Sequence, residues 1–181
     1  YYFAGDERKE VINYLKKRKD VTFFGGAQYT LLFGQNRLYN RILQRLLGYV
    51  PLRTVRGDDY IHAIMSAQIG VGVNAANNIF KYSSDRLTHY LSFGTLYLAR
   101  KFPGVRELFD DSELICFDTE EDLAEKLKYY LRENDEMLDI SRKGQKKMLE
   151  KYNTKEITAM LLDVMQTGRS DRFPWVEVIS N

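Results

Sequence analysis

The feature that most constrains this chain is an alternation. Short apolar runs end on glycine or asparagine, and each gives way to a segment of helical period. Tyr1-Tyr2-Phe3-Ala4 stops at Gly5-Asp6, Val21-Thr22-Phe23-Phe24 at Gly25-Gly26, and Ile69-Gly70-Val71-Gly72-Val73 at Asn74. Pro51 to Val55, Thr95 to Ala99 and Glu113 to Phe117 are further such runs, followed by the charged residues Arg56, Arg100 and Asp118 instead. Strands that are apolar throughout are buried on both faces, the condition of a parallel sheet covered by helices. The alternation predicts an α/β fold: a doubly wound, Rossmann-like parallel sheet of about six strands, helices on both faces, and a helical C-terminal end.

The intervening segments supply the helices. Val11, Ile12 and Leu15 share a face, and Leu38, Ile42, Leu43 and Leu46 mark a helix from about Asn36 to Leu47. Asp58 or Asp59 can cap a helix that buries Ile61, Ile64 and Met65. Ser83 or Ser84 opens a helix that Gly94 closes. Thr119 caps one with the stripe Leu123, Leu127 and Leu131, and Asn134 starts another reaching about Tyr152. Asn153 caps the last, with Ile157, Met160, Leu161 and Val164 inward and Gly168 as its stop. The two glycines in 69–74 suggest that a neighbouring backbone comes close.

Residues 1–168 read as one domain and 169–181 as a C-terminal tail. An apolar fraction of 44% over 181 residues provides a full core and excludes disorder. A net charge of +2 argues against a dedicated nucleic-acid surface, and the run Lys16 to Lys19 reads as a solvated helix end. The single cysteine, Cys116, forbids an internal disulfide and fits a reducing, cytoplasmic setting. Placed in a core strand, it reads as packing. No apolar run is long enough to span a bilayer. The chain opens on a strand already in progress and has no initiator Met, so residues are expected upstream of Tyr1.

In doubly wound sheets ligands sit beyond the carboxyl ends of the strands. Those positions are Gly5-Asp6, Gly25-Gly26, Arg53 to Asp58, Asn74 to Arg86 and Arg100 to Glu107. The stretch Asn74 to Arg86 carries the strongest signal. It sets small polar residues at a helix start, where free N–H groups favour a phosphate. Arg86 in the first turn can add a charge-assisted bond, and His89 lies three residues on, on nearly the same face. There is no G-x-G-x-x-G, Walker loop, metal-spaced His/Cys set or Ser-His-Asp order.

The segment from about Ile69 to Leu162 resembles the C-terminal, donor-binding domain of GT-B glycosyltransferases, in the group 1 set that includes spore-maturation-type proteins. Ile69 to Asn74 matches a strand ending in asparagine. Ser84-Asp85-Arg86-Leu87-Thr88-His89-Tyr90-Leu91-Ser92-Phe93-Gly94 resembles the family's S-x-R-x-x-E-x-x-x-x-G helix, with His89 in place of glutamate. Pro103 to Phe109 resembles its Pro-Gly-x-x-Glu-Leu-Phe turn, and Phe117 to Leu123 its acidic helix start. The resemblance implies a hexosyltransferase-type enzyme that moves a sugar from a nucleotide-diphosphate sugar. Donor contacts would come from Gly5, Arg53, Asn74, Asn77, Ser84, Arg86 and His89, with the diphosphate at the helix start and Arg86. It implies no cofactor and no metal. The partners it implies are the donor, an N-terminal acceptor-binding domain that carries the general base, and a peripheral membrane association of the full-length enzyme; no nucleic acid is expected. By itself the chain is expected to bind the donor weakly and not to transfer the sugar. His89 favours the alternative, a non-catalytic Rossmann-like regulatory or protein-binding module with a degenerate site.

Overall fold

The computed structural model describes residues 6–18, 55–74 and 76–173. The strands expected at 1–4, 21–24 and 51–55, the helix at 36–47, the Gly25-Gly26 turn and the apolar tail from Trp175 lie outside the described residues, apart from Val55.

The described elements are α1 (Asp6–Lys16), α2 (Asp58–Met65), β1 (Ile69–Gly72), α3 (Asp85–Ser92), β2 (Leu96–Arg100), α4 (Val105–Leu108), β3 (Ile115–Phe117), α5 (Glu120–Tyr130), α6 (Asn134–Lys151) and α7 (Thr154–Thr167). The strands form a parallel sheet in the order β1-β2-β3. Ile69 pairs with Leu96 and Leu98 with Ile115. Period-two alternation then sends side chains to two separate cores. Leu96, Leu98, Ile115 and Phe117 join Val11 and Leu15 of α1 and Leu123 and Leu127 of α5 on one face. Tyr97, Ala99 and Cys116 join Leu87 and Leu91 of α3 and Val105 and Leu108 of α4 on the other. Helix α6 contributes to both, with Met137 and Ile140 in the first core and Met148 in the second. This is the α/β architecture expected from the alternation.

The helix ends follow local chemistry. Thr119 accepts the N–H of Asp122 at 3.2 Å, and Asn153 accepts that of Glu156 at 3.0 Å. Each satisfies an N–H that has no partner within its own helix. Gly168 ends α7 in the left-handed region at φ 76°. Thr119→Ala is expected to lower stability by about 1 kcal/mol, read as a shift in the urea midpoint without a change in slope. An unchanged midpoint would show that the cap adds nothing.

Several local readings differ. Gly57, at φ 54°, precedes α2, and the two aspartates sit inside its first turn rather than at its cap. Only Ile64 of that helix is buried. Leu131 is exposed beyond the end of α5. In α7 Met160 is buried, whereas Leu161, Leu162 and Met165 face outward. A helical period locates an apolar stripe but does not supply a surface for it to pack against.

The glycines of β1 make room for rings rather than for a neighbouring backbone. A Cβ on Gly70 would clash with the ring of Tyr90, and one on Gly72 would overlap the Tyr97 hydroxyl. The two tyrosines stack with centroids 5.3 Å apart. On α6, Gly144 lets the helix approach the Glu113 carbonyl, and Gln145 donates to Ser92 O at 3.0 Å. Among the described residues β3 borders the sheet, and its outer side is occupied at both ends. Arg106 Nη1 donates to Leu114 O at 2.9 Å, and the Asp118 N–H donates to Asp122 Oδ2 at 2.9 Å.

Candidate functional site

The loop from β1 to α3 lies at the carboxyl end of the sheet, and two anchors hold it. Asn74 is buried just beyond β1. Its Nδ2 donates to Tyr82 O at 2.9 Å, its Oδ1 accepts the Ser84 N–H at 3.0 Å, and its own N–H donates to Asn77 Oδ1 at 3.3 Å. The amide therefore ties the start of the loop to its end. The second anchor is Lys81, at φ 55° an uncommon conformation for a side-chain-bearing residue. Its N–H donates to Pro103 O at 2.8 Å, and its ammonium meets Glu107 Oε2 at 2.5 Å. Gly104 leaves space for Phe80 and Lys81, since a Cβ there would meet both. Ile79 and Phe80 stay exposed on the loop.

Ser84 precedes α3, as expected, but its hydroxyl does not cap it. Its Oγ is buried and has no hydrogen-bond partner among the described residues. Arg86 stands in the first turn of α3. It folds back toward the end of β1, where Nη2 donates to Val73 O over a long 3.4 Å, and its buried Nε has no partner among the described residues. A half-buried guanidinium with an unused donor beside a helix N-terminus is suited to an anion. His89, one turn further on, is also half-buried. Its Nδ1 lies 2.9 Å from the hydroxyl of Tyr60 on α2, with the rings edge-to-face at 5.5 Å. Burial pushes the Tyr60 phenol up, opposed by Arg86 and assisted by Asp85, so it stays protonated at neutral pH. Burial also raises the Tyr90 phenol.

The structure thus gathers Asn74, Asn77, Ser84, Arg86 and His89 around one loop and one helix start. Gly5 and Arg53 lie outside the described residues. Tyr60 was missed in sequence reasoning, since only tertiary packing brings it to a histidine 29 positions away. Cys116 is buried, its thiol pushed up chiefly by burial, in keeping with a packing role. His62 is exposed. Among the described residues no helix is long and apolar enough to cross a membrane.

Comparison with known proteins bears on this arrangement. Residues 8–163 match the family described as glycosyl transferase-like. The crystal structure of HepE from Anabaena in complex with UDP-glucose is similar in fold, with a TM-score of 0.64 at 16% sequence identity. The match covers 92% of this chain and 46% of that one, so this chain spans about half the length of the solved relative. No curated protein matches. At such identity the likeness speaks for the fold alone.

Proposed function

Since the chain belongs to the glycosyl transferase-like family, we propose that it is the nucleotide-sugar-binding half of a GT-B glycosyltransferase. The observation that carries this reading is the start of α3, where the Ser84 hydroxyl and Arg86 Nε are buried and, among the described residues, unpartnered at the carboxyl end of β1. Buried polar groups are nearly always paired, so unused ones at a helix N-terminus mark a place for a ligand. A diphosphate fits that chemistry. Negative charge grows on the leaving diphosphate as the glycosidic bond breaks, and N–H groups and Arg86 aimed at it stabilise the transition state with no metal required. That HepE was solved with UDP-glucose makes this donor the first to test.

Asn74 enters this reading as the residue that shapes the loop, because its backbone N–H and both ends of its side-chain amide are engaged within the chain. The acceptor site and the general base are assigned to the remaining half of such an enzyme. The chain by itself is expected to bind the donor and not to transfer the sugar.

Calorimetric titration of the full chain with UDP-glucose and GDP-glucose tests the proposal. Heat of binding is expected with at least one of them, together with a rise in thermal midpoint that grows with the logarithm of ligand concentration. Neither heat nor shift with any nucleotide sugar would overturn it. The internal use of Asn74 and of His89 Nδ1 favours a second reading, a non-catalytic module. That reading predicts the silent titration, so the same measurement separates the two.

A further inference from the structure

The contact between Tyr60 and His89 determines which kind of hydrogen bond the site can offer. A phenol can donate to an imidazole nitrogen or accept from it. Among the described residues, His89 Nδ1 is the hydrogen-bond partner found for the Tyr60 hydroxyl, at 2.9 Å. The phenol is half-buried, and its proton is held more firmly than usual, chiefly through burial. If it accepted from Nδ1–H, its own proton would be left without a partner among the described residues. Donation to Nδ1 satisfies the hydroxyl and moves the ring proton to Nε2. The edge-to-face packing of the two rings holds the imidazole plane in place.

The geometry points to Tyr60 as a positioning residue that fixes His89 in the Nε2–H form, so that this edge of the site donates hydrogen bonds and does not accept them. Arg86 stands three residues earlier on α3 with an unused Nε, and the helix N–H groups precede it. The three together present only donors. The ligand group they select is one rich in acceptors, such as the oxygens of a diphosphate. This inference rests on the donor-binding reading for its ligand, while its tautomer claim stands on the contact itself.

The test has two arms, both on the full chain. In the first, NMR of the imidazole nitrogens reads the His89 tautomer without ligand. The Nε2–H form is expected to dominate, and Tyr60→Phe, which keeps the ring packing, is expected to move the population toward Nδ1–H. An unchanged tautomer in Tyr60→Phe overturns the inference. In the second arm UDP-glucose affinity is compared across variants. Tyr60→Phe is expected to weaken binding about three- to tenfold, the range of one neutral hydrogen bond. His89→Gln, whose amide nitrogen reaches the Nε2 position, is expected to stay within about threefold, while His89→Asn, which imitates Nδ1, loses about tenfold. Equal affinities for the Gln and Asn variants overturn the inference. No binding by the unaltered chain overturns the proposed function instead, and the tautomer arm then decides the role of Tyr60 alone.

Discussion

Valine at Gly72 is expected to lower the thermal midpoint by about 6–12 °C, the consequence of a loss near 3 kcal/mol in a chain of this size. The reason is geometric. Gly72 lies in β1 beneath the Tyr97 side chain, and a Cβ built there overlaps the hydroxyl. Tyr97 is itself buried, stacked on Tyr90 and enclosed by the core under α3 and α4, so it has little freedom to move aside. Close-packed interiors answer an added methyl group with strain. A double-mutant cycle isolates the cause. Tyr97→Phe removes the atom that the new Cβ meets first, so in a Gly72→Ala background it is expected to cost less than in the unaltered chain. Strict additivity, measured by urea or thermal unfolding, would show that the two residues do not meet.

The second large effect is on binding. Arg86→Ala is expected to weaken UDP-glucose affinity about ten- to a hundredfold, the range for a hydrogen bond to a charged group. Arg86→Lys is expected to recover only part, because an ammonium keeps the charge and loses the fork that grips two oxygens. Neither change should lower the thermal midpoint much, since the hydrogen bond found for the arginine among the described residues is the long one to Val73 O. An affinity untouched by Arg86→Ala removes this residue from the site and moves the diphosphate elsewhere along the strand ends.

Much of the described fold was legible in the chain because buried parallel strands have a simple signature. Ile69 to Gly72, Leu96 to Arg100 and Ile115 to Phe117 are apolar on both faces and lie within a residue or two of their expected bounds. The caps at Thr119 and Asn153 and the stop at Gly168 were legible for the same reason, as each follows from its neighbours in sequence. The faces of the helices were less so. Leu161 belongs to a correct helical stripe and is nevertheless exposed, because periodicity carries no information about what lies opposite.

At the candidate site, residue type located the loop but not the work of each side chain. An asparagine after a strand can hold a ligand or fasten a loop, and for Asn74 only the positions of Tyr82 O and the Ser84 N–H distinguish the two. Tyr60 gave no signal, since nothing in the local sequence of α2 announces a contact with α3. Glycines at 70 and 72 announced crowding, and it took the structure to show that the crowding comes from two tyrosine rings.

The guarded side of β3 bears on how this protein behaves in company. A strand at the border of a sheet is an invitation to other chains, and a long, flat one seeds aggregates. Here the strand is three residues long. The carbonyl before it is taken by Arg106 and the N–H after it by Asp122, itself bridged by Lys126 at 2.5 Å. Backbone groups alternate in direction, and Phe117 O already accepts the Lys101 N–H, so Cys116 is left to face away from β2. A visiting strand would find one residue to pair with, set between two fixed charges. Among the described residues, then, the border strand offers little for a neighbouring chain to extend, and Arg106 and Asp122 are the two side chains that close it.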